Sequence, residues 1–137
     1  MRIVIDTNVL VSALIFKDSR HLALRAAWEE RRVTPLLSIA TYRELKRVLG
    51  YRMFAIDDDR IQEAIAAIGP FIEWVTIDPK KTAALPKCSD RDDQKFLDVA
   101  LCGGADALLT YDKALLKLRR KVHAFAIKKP EEIAVVT

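Results

Sequence analysis

Apolar residues cluster in short runs at Ile3–Ile5, Pro35–Leu37, Glu73–Ile77, Ala107–Thr110 and Val122–Ile127, and between them apolar and charged positions recur at helical spacing. Runs without polar alternation characterise strands covered on both faces, whereas helical spacing marks an element with one buried side. The spacing predicts helices over Ser19–Arg32, Ile39–Leu49, Asp58–Ile68 and Asp92–Cys102. In the first of these the buried stripe is expected at Leu22, Ala26 and Ala27, with His21 on an exposed face. Because strand and helix alternate, the pattern predicts an α/β domain built on a mostly parallel sheet.

Glycine and proline punctuate this pattern. Gly50, Gly69 with Pro70, and Gly103 with Gly104 fall just past the expected helix ends, where a left-handed residue is wanted. Asp78–Ser89 is the longest irregular stretch, and no repeat or low-complexity linker divides the chain. Residues 1–137 therefore read as one domain, a size that buries roughly two-thirds of the surface.

Composition narrows the function classes. Hydrophobic residues make up 51% and charged ones 31%, a globular balance. Cys88 and Cys102 are too few for a disulfide framework and lack the paired spacing of a zinc site, so they read as reduced thiols. Asp6 and Asn8 interrupt the one stretch near the start that superficially looks like a secretory signal, and no apolar run approaches the ~20 residues of a membrane span. A cytoplasmic protein with no membrane partner is expected. The net charge of +4 hints at a polyanionic partner, the more so if some acids are neutralised by a cation.

The acids carry the chemistry. Asp6 ends the first strand, and Asp112 follows the fourth, separated from Thr110 by Tyr111; in an open parallel sheet such strand ends converge on one crevice. Asp90, Asp92 and Asp93 crowd the start of a helix whose apolar phase, set by Phe96, Leu97, Ala100 and Leu101, favours Asp93 as the one facing inward. Glu44 lies one turn into the helix after the second strand, with Leu45 and Val48 facing the core. Capping is the competing reading for each: Asp6 or Asn8 for the first helix, Thr41 with Glu44 and Ser89 with Asp92 as capping boxes, Asp112 for Lys113–Leu118. Taken jointly, carboxylates at one rim repel unless cations or protons offset them, and oxygen donors suit Mg²⁺ or Mn²⁺. Such an ion suits phosphodiester hydrolysis. No glycine-rich phosphate loop, nucleophile elbow or cysteine–histidine pairing competes.

These residues together resemble the PIN domain family, in particular its compact prokaryotic toxin-component (VapC-like) branch. The segments are IDTNVLVSAL at the start, ATYREL in the second helix, and DRDDQKFLDVALCGGADALLTYDKALL in the last third. The resemblance implies a three-layer α/β/α sandwich with a central parallel sheet of four to five strands. It also implies a metal-dependent endoribonuclease, the toxin of a type II toxin–antitoxin pair. Carried over by position, the catalytic and metal-binding quartet is Asp6, Glu44, Asp93 and Asp112, with Asn8 and Thr110 orienting it and Asp90 or Asp92 able to share the part of Asp93. Tyr111 replaces a small or polar residue and either narrows the cleft or fills its rim.

RNA would be held by Arg43, Lys46, Arg47, Arg91, Lys95 and Lys113, with Lys117 beyond them, through salt-dependent contacts carrying little sequence information. The resemblance further implies a small antitoxin partner and a homodimer. Phe16, Trp28, Met53 and Phe54 are read first as core. The alternative function is a catalytically inactive RNA-binding or protein-interaction module of the same fold; a phospho-acceptor receiver domain fits the position of Asp6 poorly.

Overall fold

Side-chain parity along the strands decides the architecture. In β1 (Arg2–Ile5), Ile3 and Ile5 enter one core and Val4 the other; Leu37 and Leu36 of β2 (Thr34–Leu37) part in the same way. Ala107 and Leu109 of β4 (Ala107–Leu109) likewise oppose Leu108. Successive strand residues leave opposite faces, so strands apolar at every position have to be covered twice. The computed structural model, which describes residues 1–16 and 19–134, contains both covers. Helices α1 (Thr7–Ile15), α2 (Leu22–Glu29), α3 (Ile39–Leu49) and α4 (Asp58–Ile68) close one face. On the other lie α6 (Gln94–Cys102) and α7 (Lys113–Leu116), with α5 (Pro79–Thr82) packed on α6.

With β3 (Glu73–Trp74) and β5 (Ala126–Lys128), the sheet has five parallel strands in the order β3-β2-β1-β4-β5. This is the three-layer arrangement expected. The chain steps outward from β1 to β2 and β3, then returns to lay β4 on the other side of β1. Strand order thus reverses between β1 and β4, and their carboxyl ends flank the crevice where such sheets bind ligands.

Several local expectations are corrected. Helix α2 begins at Leu22 rather than Ser19, which shifts its phase: Leu24, Ala27 and Trp28 are buried and Leu22 is exposed. His21, at the N-cap position, is buried rather than solvated. Strands β3 and β5 are shorter than the apolar runs that predicted them, and His123 falls outside β5. Of the four residues read as core, Trp28 is fully buried and donates its indole N–H to the Ala67 carbonyl at 3.2 Å, whereas Met53 is 80% exposed. Phe16, exposed, meets Phe54 edge-on at 6.0 Å.

The glycines are also used differently. Gly50, Gly69 and Gly103 have negative φ, and only Gly104 is left-handed, at 61°. Gly103 is needed for space: an added Cβ would lie 2.9 Å from Val75 Cγ2 and from the Val99 carbonyl oxygen. Gly69 has open space around it. Gly103→Ala is therefore expected to destabilise the fold by about 1–3 kcal/mol, and Gly69→Ala to leave it unchanged or slightly stabilised, as chemical denaturation would measure.

Candidate functional site

Each acid reaches the crevice by a separate local device. Asp6 follows β1, and its backbone N–H donates to the Leu109 carbonyl at 2.9 Å, extending the β1–β4 ladder by one rung. Its side chain makes no capping hydrogen bond to α1. Instead Oδ2 accepts from the Thr110 hydroxyl at 2.6 Å. Thr110, wholly buried, also accepts the Asp112 N–H at 2.9 Å, so one hydroxyl joins the residues after both strands. Asp112 does cap α7, through the Ala114 N–H at 2.8 Å. Capping and membership of the acidic group coexist in this residue.

Glu44 is free of the capping role. The box on α3 is formed by Ser38 and Thr41, whose N–H groups and hydroxyls bond reciprocally at 2.9 and 3.3 Å. Glu44 instead accepts a hydrogen bond from the Thr7 hydroxyl, pairs with Lys95 at 2.8 Å and lies 3.6 Å from Arg47. Two of the expected RNA contacts, Lys95 and Arg47, are thus engaged by an acid. Arg43, Lys46, Arg91 and Lys113 are exposed.

The three aspartates before α6 separate cleanly. Asp90, not Ser89, caps the short turn at 91–93, accepting the Asp92 N–H at 3.0 Å. Asp92 is exposed, whereas Asp93 is only 9% exposed. One oxygen from each of Asp90, Asp93 and Asp112 lies within 4.8 Å of the others. Asp6 lies outside that tightest group but close enough for its charge to act on Asp93, and those of Glu44 and Asp112 to act on it.

The electrostatics follow from this crowding. Burial pushes the Asp93 carboxyl up to about 8, reinforced by a hydrogen bond with Asp112 and by the charges of Asp112, Asp6 and Asp90. Burial raises Asp6 too, against the opposing hydrogen bond from Thr110. Asp93 Oδ2 is buried without a hydrogen-bond partner among the described residues. An all-oxygen donor set, an orphaned buried carboxylate oxygen and uncompensated negative charge are together what a hard divalent cation satisfies, so these residues fit Mg²⁺ or Mn²⁺.

Beside the acids lies a cavity of about 370 Å³, which Asp6 and Asp112 share with Asn8, Ser12, Arg20, His21 and Tyr111. Tyr111 is held by Arg20, whose guanidinium stands 4.5 Å over its ring, and by its own hydroxyl, which donates to Glu131 at 2.7 Å. Arg20, His21 and Ser12 were not singled out as site residues from the sequence. The shifted start of α2 hid His21, and Ser12 reads there as one small residue within an apolar helix.

The PIN domain family profile matches residues 2–114. The chain belongs to the PIN domain family. A solved structure similar to this PIN domain is the crystal structure of VapBC2 from Rickettsia felis bound to a DNA fragment from their promoter. The two share 16% identity with a TM-score of 0.62, covering 94% of this chain and 98% of that one, a likeness of fold. No curated protein matches the sequence. Among the described residues of this PIN domain, no helix is long and apolar enough to cross a membrane.

A carboxyl raised above its unfolded value keeps its proton in the folded state, so its stabilising share is full below about pH 4 and is lost as pH rises through about 8. In chelator, the PIN domain is expected to lose stability over that interval, with solvent at the rim moderating the effect. Asp93→Asn should melt roughly 5 °C above the parent at pH 8 and level with it near pH 4. Mn²⁺ should raise the parent's Tm at pH 8 and leave the variant's in place, as scanning calorimetry would record.

Proposed function

We propose that this PIN domain is a Mg²⁺- or Mn²⁺-dependent endoribonuclease and the toxin of a toxin–antitoxin pair. The observation that carries the reading is the buried, unpartnered Asp93 Oδ2 within the Asp90–Asp93–Asp112 group at the strand-order reversal. Asp93 and Asp112 would hold the ion, with Asp6 and Asp90 completing the oxygen set. When bound, the ion supplies charge to polarise a phosphodiester and to lower the pKa of a coordinated water.

The chain's own groups do the rest. Thr110 fixes the Asp6 carboxylate by donating to Oδ2, and so decides which oxygen stays available. Thr7 and Lys95 fix Glu44, which in turn keeps the Lys95 ammonium at the rim, next to where a phosphate would lie. The exposed Arg43, Lys46, Arg91 and Lys113 would meet the backbone of RNA by charge alone. Asn8, exposed at the start of α1, lines the approach.

The partner assignment is supported by the VapBC2 structure, whose fold this chain shares, and by the exposed apolar Phe16 and Met53, which suit coverage by another protein. We place the protein in the cytoplasm, as a homodimer blocked by a small antitoxin. The free thiols of Cys88 and Cys102 suit that compartment.

Labelled single-stranded RNA is expected to be cut in Mn²⁺, to survive in chelator, and to be cut at least about 100-fold more slowly by Asp93→Asn. Equal cutting by parent and variant would reject the assignment. RNA binding without any cutting would favour the inactive interaction module.

A further inference from the structure

His21 is 5% exposed and lines the cavity beside the acids, yet its imidazole makes no hydrogen bond among the described residues. Its ring nitrogens are not sealed in the core: they open on the cavity and are available to hydrogen-bond a ligand there. The surrounding wall is already set. The Ser12 and Ser19 hydroxyls bond at 2.7 Å, and Ser19 Oγ accepts the His21 N–H at 3.0 Å, which ties the turn before α2 to α1. The Tyr111 ring lies 5.7 Å from the imidazole and carries the Arg20 guanidinium on its face.

We propose that this cavity is a nucleoside subsite, receiving one unstacked nucleoside of single-stranded RNA next to the phosphodiester held at the acids. It rests on the ribonuclease reading above. Asp6 and Asp112 belong to both the acidic rim and the cavity wall, so a nucleoside attached to a phosphate at that rim reaches the cavity directly. At about 370 Å³ the cavity lies near the lower end of the roughly 300–1,000 Å³ typical of small-molecule sites, room for a single nucleoside. The stacked Arg20–Tyr111 pair offers a flat surface of the kind on which unpaired bases lie. Burial and the neighbouring Arg20 lower the His21 pKa against the opposing charge of Glu131, which favours the neutral imidazole with its one donor and one acceptor. With the Asn8 amide it can read a base edge. A base held in a duplex cannot enter without leaving its stack. The subsite therefore selects unpaired RNA and favours one base at one position beside the cut.

The test titrates adenosine, guanosine, cytidine and uridine, with inorganic phosphate as control, into the chelated protein, following the His21 and Tyr111 ring signals by NMR. Uncharged nucleosides avoid repulsion by the acids. One nucleoside is expected to bind roughly 10-fold or more tightly than another, and Arg20→Ala to weaken it roughly 10-fold. His21→Phe should abolish the preference; because Arg20 is exposed, its variant remains informative if His21→Phe does not fold. Equal binding of all four nucleosides, or ring shifts produced by phosphate alone, overturns base recognition. In parallel, cut sites in random single-stranded RNA are mapped. Metal-dependent cutting with no base preference overturns the subsite and leaves the nuclease intact. Selective nucleoside binding without any cutting keeps the pocket and rejects the nuclease.

Discussion

Negative charge that the fold cannot spread out is the constraint on which this molecule is organised. Asp6, Asp93 and Asp112 converge where strand order reverses, and Asp6 and Asp93 are buried there. Low polarisability around a carboxylate and a second carboxylate nearby both favour the protonated form. Polypeptide groups ease only part of this: Thr110 serves Asp6, the Ala114 N–H serves Asp112, and one oxygen of Asp93 finds no partner among the described residues. A fold selected for stability alone would place an apolar side chain at so buried a position as Asp93.

The rest of the rim is arranged around that charge. Glu44 lies close enough to raise the Asp6 pKa but is offset by Lys95 and Arg47, so the acidic field is steep on one side of the crevice and balanced on the other. Thr110 is the mechanical link, because one buried hydroxyl contacts residues after both central strands. Movement of β4 relative to β1 would be felt at both acids together.

Much of this was legible in the residues. The uninterrupted apolar runs specified a sheet covered on both faces, and acids at two strand ends specified where it would be charged. The contribution of Asp90 was less legible: three acids in four positions leave helical phase as the only guide, and phase says nothing about a residue before the helix begins. Capping assignments misled where two residue types can serve. Ser38 and Thr41 form the box that Thr41 and Glu44 also match in pattern. The cavity wall was hidden for a different reason. His21 is placed by a turn whose geometry depends on hydroxyl pairing between Ser12 and Ser19, a tertiary contact with no periodic signature. The short β3 and β5 reflect a similar limit, since β-branched and apolar residues flank the paired rungs, after β3 at Val75–Ile77 and before β5 at Val122–Phe125.

The outermost strands have a consequence for association. At one border β3 spans only Glu73 and Trp74, and the Glu73 carboxylate is gripped by the Arg2 guanidinium; at the other, β5 spans three residues and ends in Lys128. Borders so brief and so charged offer little template for a foreign strand to zip onto. The sheet is thereby protected from growing into a polymer, and its two borders are poor places for a second copy or another protein to dock.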